Sequence, residues 1–494
     1  MRNNYSEVNN QYILIAKPSK YFFVLASLVL IIWLFLGPLY WRNVDDYGPI
    51  EQFFENKISI FELVKYLPFW YWGSYPPIWH LWAFPSYIFK DINIDLTRYV
   101  LLAEGFISVI LSSILMSSLC QKAILYTKDF DSKLNKNIRL ISDILSISII
   151  GLNPQIMIHS MTYMPYQLGL LSSILPLYFI NSILFYQKNN IQEKYFLKVS
   201  KTKFSFFSFL SLLFIFQTFI IIVPSLVISV FLINKKKIID LLKSLFYFLR
   251  INLFFTKYSF LIYLSIFVLI AFFRKLKILF LSNTGTGYWA YGIDEIFKLN
   301  TKDQNLVLYL KKVFFNSINI IGQSLYPYKE NQLLMAYVFS SIIFFSLIFL
   351  FNKNKSFRFI FNFFLFEYIF AIICSTFTSI NFSPTRHNIY LMPFAIFTII
   401  SLILIIYISK IEISKKLTKL LFTIIVMTAI CLQMNFFIKS HNIIQYSKTN
   451  RIRMIEMAKK ADFYLDLNHN RINNSPGVFL THGEDEKNAL LNKN

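Results

Sequence analysis

Charged side chains are scarce. Asp, Glu, Lys and Arg make up 15% of the 494 residues, where a soluble domain carries about 25%. Acids are scarcer than bases, 26 against 49 Lys and Arg, which leaves a formal net charge of +23. Cysteine is almost missing: Cys120, Cys374 and Cys431 all lie in apolar runs, which argues against a disulfide framework and against a zinc site. No glycine-rich phosphate loop and no dinucleotide fingerprint is present, so chemistry driven by ATP or NAD has no support. No internal repeat is visible either. What the chain has in abundance is apolar surface, 56% hydrophobic residues with 55 Phe and 30 Tyr. A water-soluble protein of this length could not hide it, and the composition excludes disordered and fibrous classes as well. It predicts an all-α, polytopic membrane protein whose first partner is the lipid bilayer. In a soluble protein the positive charge would point to nucleic acid. Here it points to basic loops beside anionic lipid, with no nucleic-acid partner.

About 20 apolar residues cross a bilayer as a helix, because in lipid the backbone must satisfy its own hydrogen bonds. Candidate spans are 21–40, 98–120, 140–153, 163–186, 204–219, 220–234, 258–273, 331–351, 359–380, 389–408 and 420–438, about eleven in all. The first run lacks a small-residue cleavage site after it and is expected to stay as an anchor. The stretch 204–234 has Lys clusters at both ends and Pro224 inside, and reads as two short helices.

Basic residues set the orientation. The segments 1–20, 121–139, 187–203, 235–257, 352–358 and 409–419 hold 26 Lys and Arg in 97 positions, whereas 41–97 holds 4 in 57. The positive-inside rule then puts the N-terminus in the cytoplasm and the loops 41–97, 274–330 and 381–388 on the outer face of an inner or plasma membrane. The expected organisation is a transmembrane domain over 1–438 and a small polar tail, 439–494, also outside. The tail reads as one amphipathic helix near 445–466 and a short strand at 478–480.

The first outer loop gathers seven of the acids, Asp45, Asp46, Glu51, Glu55, Glu62, Asp91 and Asp95. A carboxylate held just above the membrane can take a proton from an acceptor hydroxyl or ligate a divalent ion; an acidic loop is also simply soluble. The same loop runs on through Tyr71-Trp72-Gly73-Ser74-Tyr75-Pro76-Pro77-Ile78-Trp79-His80 and an aromatic stretch to Phe89, then Asp95-Leu96-Thr97-Arg98 at the mouth of the next span. An acidic pair after span one, Pro-Pro before an aromatic interfacial helix, and Arg entering span two is a specific order. It resembles the first loop of the GT-C fold membrane glycosyltransferases, the group of protein O-mannosyltransferases and bacterial aminoarabinose transferases. The likeness is close over residues 20–190. It continues more thinly in the Asn153-Pro154 turn and in Pro384-Thr385-Arg386-His387 with Tyr390 and Pro393.

That resemblance implies a GT-C-like fold and a polyprenyl-phosphate-linked sugar as donor. The sugar is passed, with inversion, to a glycan, lipid or protein acceptor on the outer face. Asp45 is the expected base and Asp46 the orienting group or the ligand of a divalent cation such as Mg or Mn; the reverse assignment fits nearly as well. Arg386, with His387, is the candidate for the donor phosphate, since guanidinium matches phosphate oxygens bidentately; an Arg at a span end also snorkels to the interface. Lys275 and Lys277 are further phosphate candidates, or contacts to lipid headgroups. Tyr47, Trp72, Tyr75, His80, Arg98 and Glu104, together with Tyr288 and Trp289 between glycines of the second outer loop, are candidate substrate contacts. Glu104, Asp143 and Glu367 fall within spans, where an acid usually faces a cavity or a partner. Two other classes compete. An O-antigen-type polymerase or ligase would place its key Arg and His in a large late loop. A transporter or flippase would show repeated halves and broken helices at the midplane.

Overall fold

The computed structural model describes residues 12–36, 94–125, 132–160, 166–185, 196–212, 216–233, 306–325, 355–377, 382 and 386–408. Over these residues the chain is a helical membrane protein. In order come strand β1 (Tyr12–Ala16), α1 (Lys20–Leu36), α2 (Ile94–Leu125), α3 (Ser132–Gly151), α4 (Pro154–Ser160) and α5 (Leu168–Phe185). Strand β2 (Phe196–Ser200), α6 (Lys201–Ser211), α7 (Phe216–Ile233), α8 (Leu306–Leu325) and α9 (Lys355–Phe377) follow, and a 3-10 helix (Arg386–Leu391) leads into α10 (Met392–Ile408).

Four helical stretches are long and apolar enough to cross a membrane: Tyr99–Ile124, Leu168–Phe185, Lys355–Cys374 and Asn388–Ile405. They coincide with four of the spans expected from sequence. Lys20–Phe35 and Ile220–Ile233 are shorter apolar helices. The run 204–234 is two helices, α6 and α7, and the first of them ends at Ser211, earlier than expected. The spans at 258–273, 331–351 and 420–438, the loop 41–93 and the tail lie outside the described residues. Within the segment 274–330 the structure has a 20-residue helix, α8, packed on α10 and tied by Asn316 Nδ2 donating to Phe382 O at 2.9 Å.

Helix α1 shows how the apolar excess is divided. Phe22, Ala26, Val29 and Trp33 recur at helical spacing and are buried, while Tyr21, Val24, Leu28, Ile31 and Phe35 form the opposite, exposed stripe. In lipid both faces are apolar, so association rests on packing and interhelical hydrogen bonds. Trp33 Nε1 donates to Gly151 O at 2.8 Å, locking α1 to the end of α3. Helices α9 and α10 interlock through rings. Phe357, Phe361, Phe364 and Tyr368 share one face of α9 and meet Phe394 and Phe397 of α10 at centroid distances of 5.2–6.1 Å.

Two features depart from the expected all-helical layout. The first is a two-stranded antiparallel sheet pairing Tyr12 with Ser200 and Ala16 with Phe196, made from segments read as cytoplasmic loops. Tyr12-Ile13-Leu14-Ile15-Ala16 is too short to span and is stopped by Pro18, so its backbone bonds are met by a second strand. Ala16 N also donates to Ser118 Oγ at 2.9 Å and Tyr178 Oη to Leu14 O at 2.5 Å, fixing the sheet to α2 and α5. The second is Lys122, expected in a loop but buried in α2. Its Nζ donates to Ser182 Oγ at 2.9 Å and sits 4.2 Å from the Tyr178 ring centroid. The sheet marks one end of the bundle, the strand end. The α3–α4 turn and the 3-10 helix mark the other, the turn end.

Candidate functional site

The turn end is assembled from short pieces. Asn153 opens α4 with its backbone O accepting from Met157 N at 3.0 Å and its Oδ1 from Ile156 N at 3.4 Å, and Pro154 occupies the first helical position. This is the ordinary chemistry of a helix start. Helix α4 lies directly on α2. A Cβ at Gly105 would fall 2.3 Å from Ser160 Cβ and 2.6 Å from Ser160 O, so only glycine allows this approach. His159 is buried beside it, its ring edge-on to Tyr166 at 5.7 Å and 75°. Burial pushes its imidazole down to about 4, so the ring is neutral at pH 7. The 3-10 helix then packs on α4, α5 and α8.

Of the residues singled out in the sequence, the structure brings four to this end. Arg98 lies in the second turn of α2 and Glu104 two turns further on, against the residue that touches α4. Glu104 is half-buried, and one of its carboxylate oxygens is buried with no hydrogen-bond partner. Arg386 and His387 open the 3-10 helix, which packs on α4 and α5. Asp45, Asp46, Tyr47, Trp72, Tyr75, His80, Lys275, Lys277, Tyr288 and Trp289 lie outside the described residues. Among the described residues no group of three or more His, Cys, Asp or Glu is placed to hold a metal ion, and Asp46, the proposed ligand, is not one of them.

The two deeper acids differ. Asp143, near the strand end, is fully engaged: Oδ2 accepts from Ser19 N at 2.7 Å at the start of α1, and Oδ1 from Ser117 Oγ at 2.6 Å. Gln121 and Ser142 close the network, and Arg139 donates to Pro18 O at 2.8 Å beside it. Asp143 is therefore a clasp between the N-terminal segment and α2–α3. Glu367, fully buried in α9, has one oxygen accepting from Ser173 Oγ at 3.1 Å and the other without a partner. Sequence reading placed both acids in spans without separating their roles. It gave no role to Gln167 or Tyr390, whose only signal was a polar group inside or beside an apolar run.

No protein-family model matches the chain, and no curated protein or solved structure is significantly similar to it.

Proposed function

We propose that the chain is a GT-C-like membrane glycosyltransferase of about eleven spans, moving a sugar from a polyprenyl phosphate to an acceptor on the outer face. The observation that carries this reading is the order of the first loop, Asp45-Asp46, then Pro76-Pro77 with its aromatics, then Arg98 opening the second span. Its geometric support is that α4 lies against Gly105 of α2, next to Glu104, and that the 3-10 helix beginning at Arg386 packs on the same α4.

The reaction needs few groups. The acceptor oxygen attacks the anomeric carbon, its proton passes to Asp45 or Asp46, and the bond from that carbon to the phosphate oxygen breaks. The polyprenyl phosphate leaves with the bonding pair. Arg386 offsets the charge that grows on the departing phosphate, with Lys275 and Lys277 as further cations, and a divalent ion on Asp46 would add to the same stabilisation. Tyr47, Trp72, Tyr75, His80, Tyr288 and Trp289 hold sugar and acceptor by stacking and hydrogen bonds.

The test is turnover. Purified protein in lipid nanodiscs is incubated with undecaprenyl-phosphate-linked hexose, pentose and aminosugar, and candidate glycan, lipid and peptide acceptors are read by mass spectrometry. The reading predicts a glycosylated acceptor and stoichiometric undecaprenyl phosphate with at least one donor. Solute or lipid movement across proteoliposomes without turnover would replace it with a transporter.

A further inference from the structure

Helix α8 has the length of a span but not the position of one. Its 20 residues would reach about 30 Å, the thickness of the hydrocarbon core. Lys311 and Lys312, however, lie within its first half, and a charge held in hydrocarbon is costly. The hydrogen bond from Asn316 Nδ2 to Phe382 O then fixes the level of the helix. Asn316 is at the middle of α8, and Phe382 lies between the end of α9 and the start of the 3-10 helix, at the turn end. The centre of α8 is therefore held at the end of the bundle and not at its mid-depth.

One apolar stripe runs the length of the helix. Val307, Leu310, Phe314, Ile318 and Ile321 follow each other at spacings of three and four residues and so share a face. Among the described residues the bundle covers only the second half of it. Ile318 and Ile321 are 3% and 8% exposed, on a helix that packs against α10 and the 3-10 helix. Val307, Leu310 and Phe314 are 70%, 56% and 56% exposed, and Lys311 beside them is exposed too. Helix α8 contains no acid to offset its two lysines. Three large apolar side chains flanked by an unneutralised ammonium match the boundary between acyl chains and headgroups. There the apolar face sinks below the phosphates, and a lysine stem lies along it with its charge reaching up to them. An apolar groove on a partner protein would meet the stripe and leave the ammonium without a counter-charge; an anionic lipid surface meets both.

We propose that the first half of α8 is a membrane-interface anchor, lying along the bilayer surface at the turn end. Val307, Leu310 and Phe314 enter the acyl region and Lys311 contacts the phosphates of anionic phospholipid. Because α8 packs on the 3-10 helix that begins at Arg386, the anchor ties this end of the bundle to the lipid surface. The inference uses no part of the glycosyltransferase reading and stands or falls separately from it.

The test reads depth in the membrane. Cysteine is introduced singly at Val307, Leu310 and Phe314 of the full chain and labelled with a small fluorophore, with the unsubstituted protein as the blank for Cys120, Cys374 and Cys431. Each protein is placed in phosphatidylcholine nanodiscs, with and without phosphatidylglycerol, that carry a spin-labelled lipid quencher either near the headgroup or near the chain end. All three positions should lose fluorescence to the shallow quencher, by similar amounts, and little to the deep one. Phosphatidylglycerol should increase that loss, and Lys311→Gln should remove the increase. Quenching by neither lipid overturns the anchor and means that protein covers the stripe; disulfide crosslinking between copies through the same cysteines would then assign the face to a second copy. A steady change of depth from 307 to 314, about 10 Å for an upright helix, overturns it in favour of a span. An equal response to phosphatidylglycerol in Lys311→Gln overturns the headgroup contact. The three exposed positions are read separately, so a variant that fails to fold leaves the other two to decide.

Discussion

Asp143 and Arg386 illustrate opposite kinds of charged residue, one consumed by the fold and one proposed to serve the donor phosphate. Changing Asp143 to Asn puts an amide N–H where an acceptor faces Ser19 N or Ser117 Oγ. The expected outcome is a stability loss of about 1–3 kcal/mol, read as a lower thermal midpoint, with transfer per folded molecule unchanged. Arg386→Ala should instead leave the thermal midpoint near wild type and lower donor use by roughly one to two decades, the value of a charge-assisted phosphate bond of about 1.5–3 kcal/mol. Arg386→Lys should restore little, because a point charge does not replace a planar fork. Unchanged donor kinetics in the Ala variant would remove Arg386 from the site. His159 adds a pH dependence. Its folded-state pKa of about 4 lies below the ordinary 6.5, so the unfolded chain binds more protons between those values. Stability is therefore fully present above about pH 6.5 and is lost as pH falls toward 4, by at most on the order of 3 kcal/mol. Thermal melts of His159→Gln from pH 7 to 5 should fall less steeply than those of wild type; parallel curves would contradict the assignment.

At the level of elements, the α2–α4 contact makes a prediction against the usual sign. Replacing glycine by alanine inside a helix normally gains up to about 1 kcal/mol. At Gly105 the new methyl would meet the Ser160 backbone at 2.6 Å, and overpacking of this kind costs about 1–3 kcal/mol. Gly105→Ala should lower the thermal midpoint and disturb the turn end; a raised midpoint would mean that α4 does not sit as described. The same contact shows what sequence could reveal. The spans at α2, α5, α9 and α10 were legible because lipid demands long apolar helices, and a window of hydropathy detects them. The strands β1 and β2 were not legible. Five apolar residues before Lys17-Pro18 have no periodicity of their own, and their pairing joins positions 12–16 to 196–200, which no local pattern announces. The burial of Lys122 was hidden for a similar reason: a Lys at the end of an apolar run reads as the start of a loop, and only Ser182 and Tyr178, some 60 residues away, show otherwise.

For the whole molecule, the expected orientation rests on charge patterning. Cysteine introduced at Ser59 and at Ser440 should be labelled by an impermeant reagent in intact cells, because both are expected on the outer face. Labelling at Ser59 alone would mean that the span count is off by one. The β1–β2 pairing accords with this layout, since residues 12–16 and 196–200 were both assigned to the cytoplasmic side by their basic flanks and do lie at one end of the bundle. Of the candidate site, the polar groups of the turn end could be read only in part. Glu104 and Arg386 stood out as charges at span edges, whereas Gln167 and Tyr390 are unremarkable letters whose burial only the structure shows.

Sugar transfer is proposed to run through a carboxylate of the loop 41–97, and single substitutions of the acidic pair probe that role. A positioned general base is worth about 10²–10⁴-fold in rate. With a competent undecaprenyl-phosphate sugar, either Asp45→Asn or Asp46→Asn should therefore lose nearly all transfer while keeping the wild-type thermal midpoint. Glu51→Gln and Glu62→Gln should keep most of it. Partial rescue of one Asp variant by excess Mg or Mn would identify the metal ligand and leave the other as the base. Turnover at the wild-type rate in both Asp variants would exclude the acidic pair as the base.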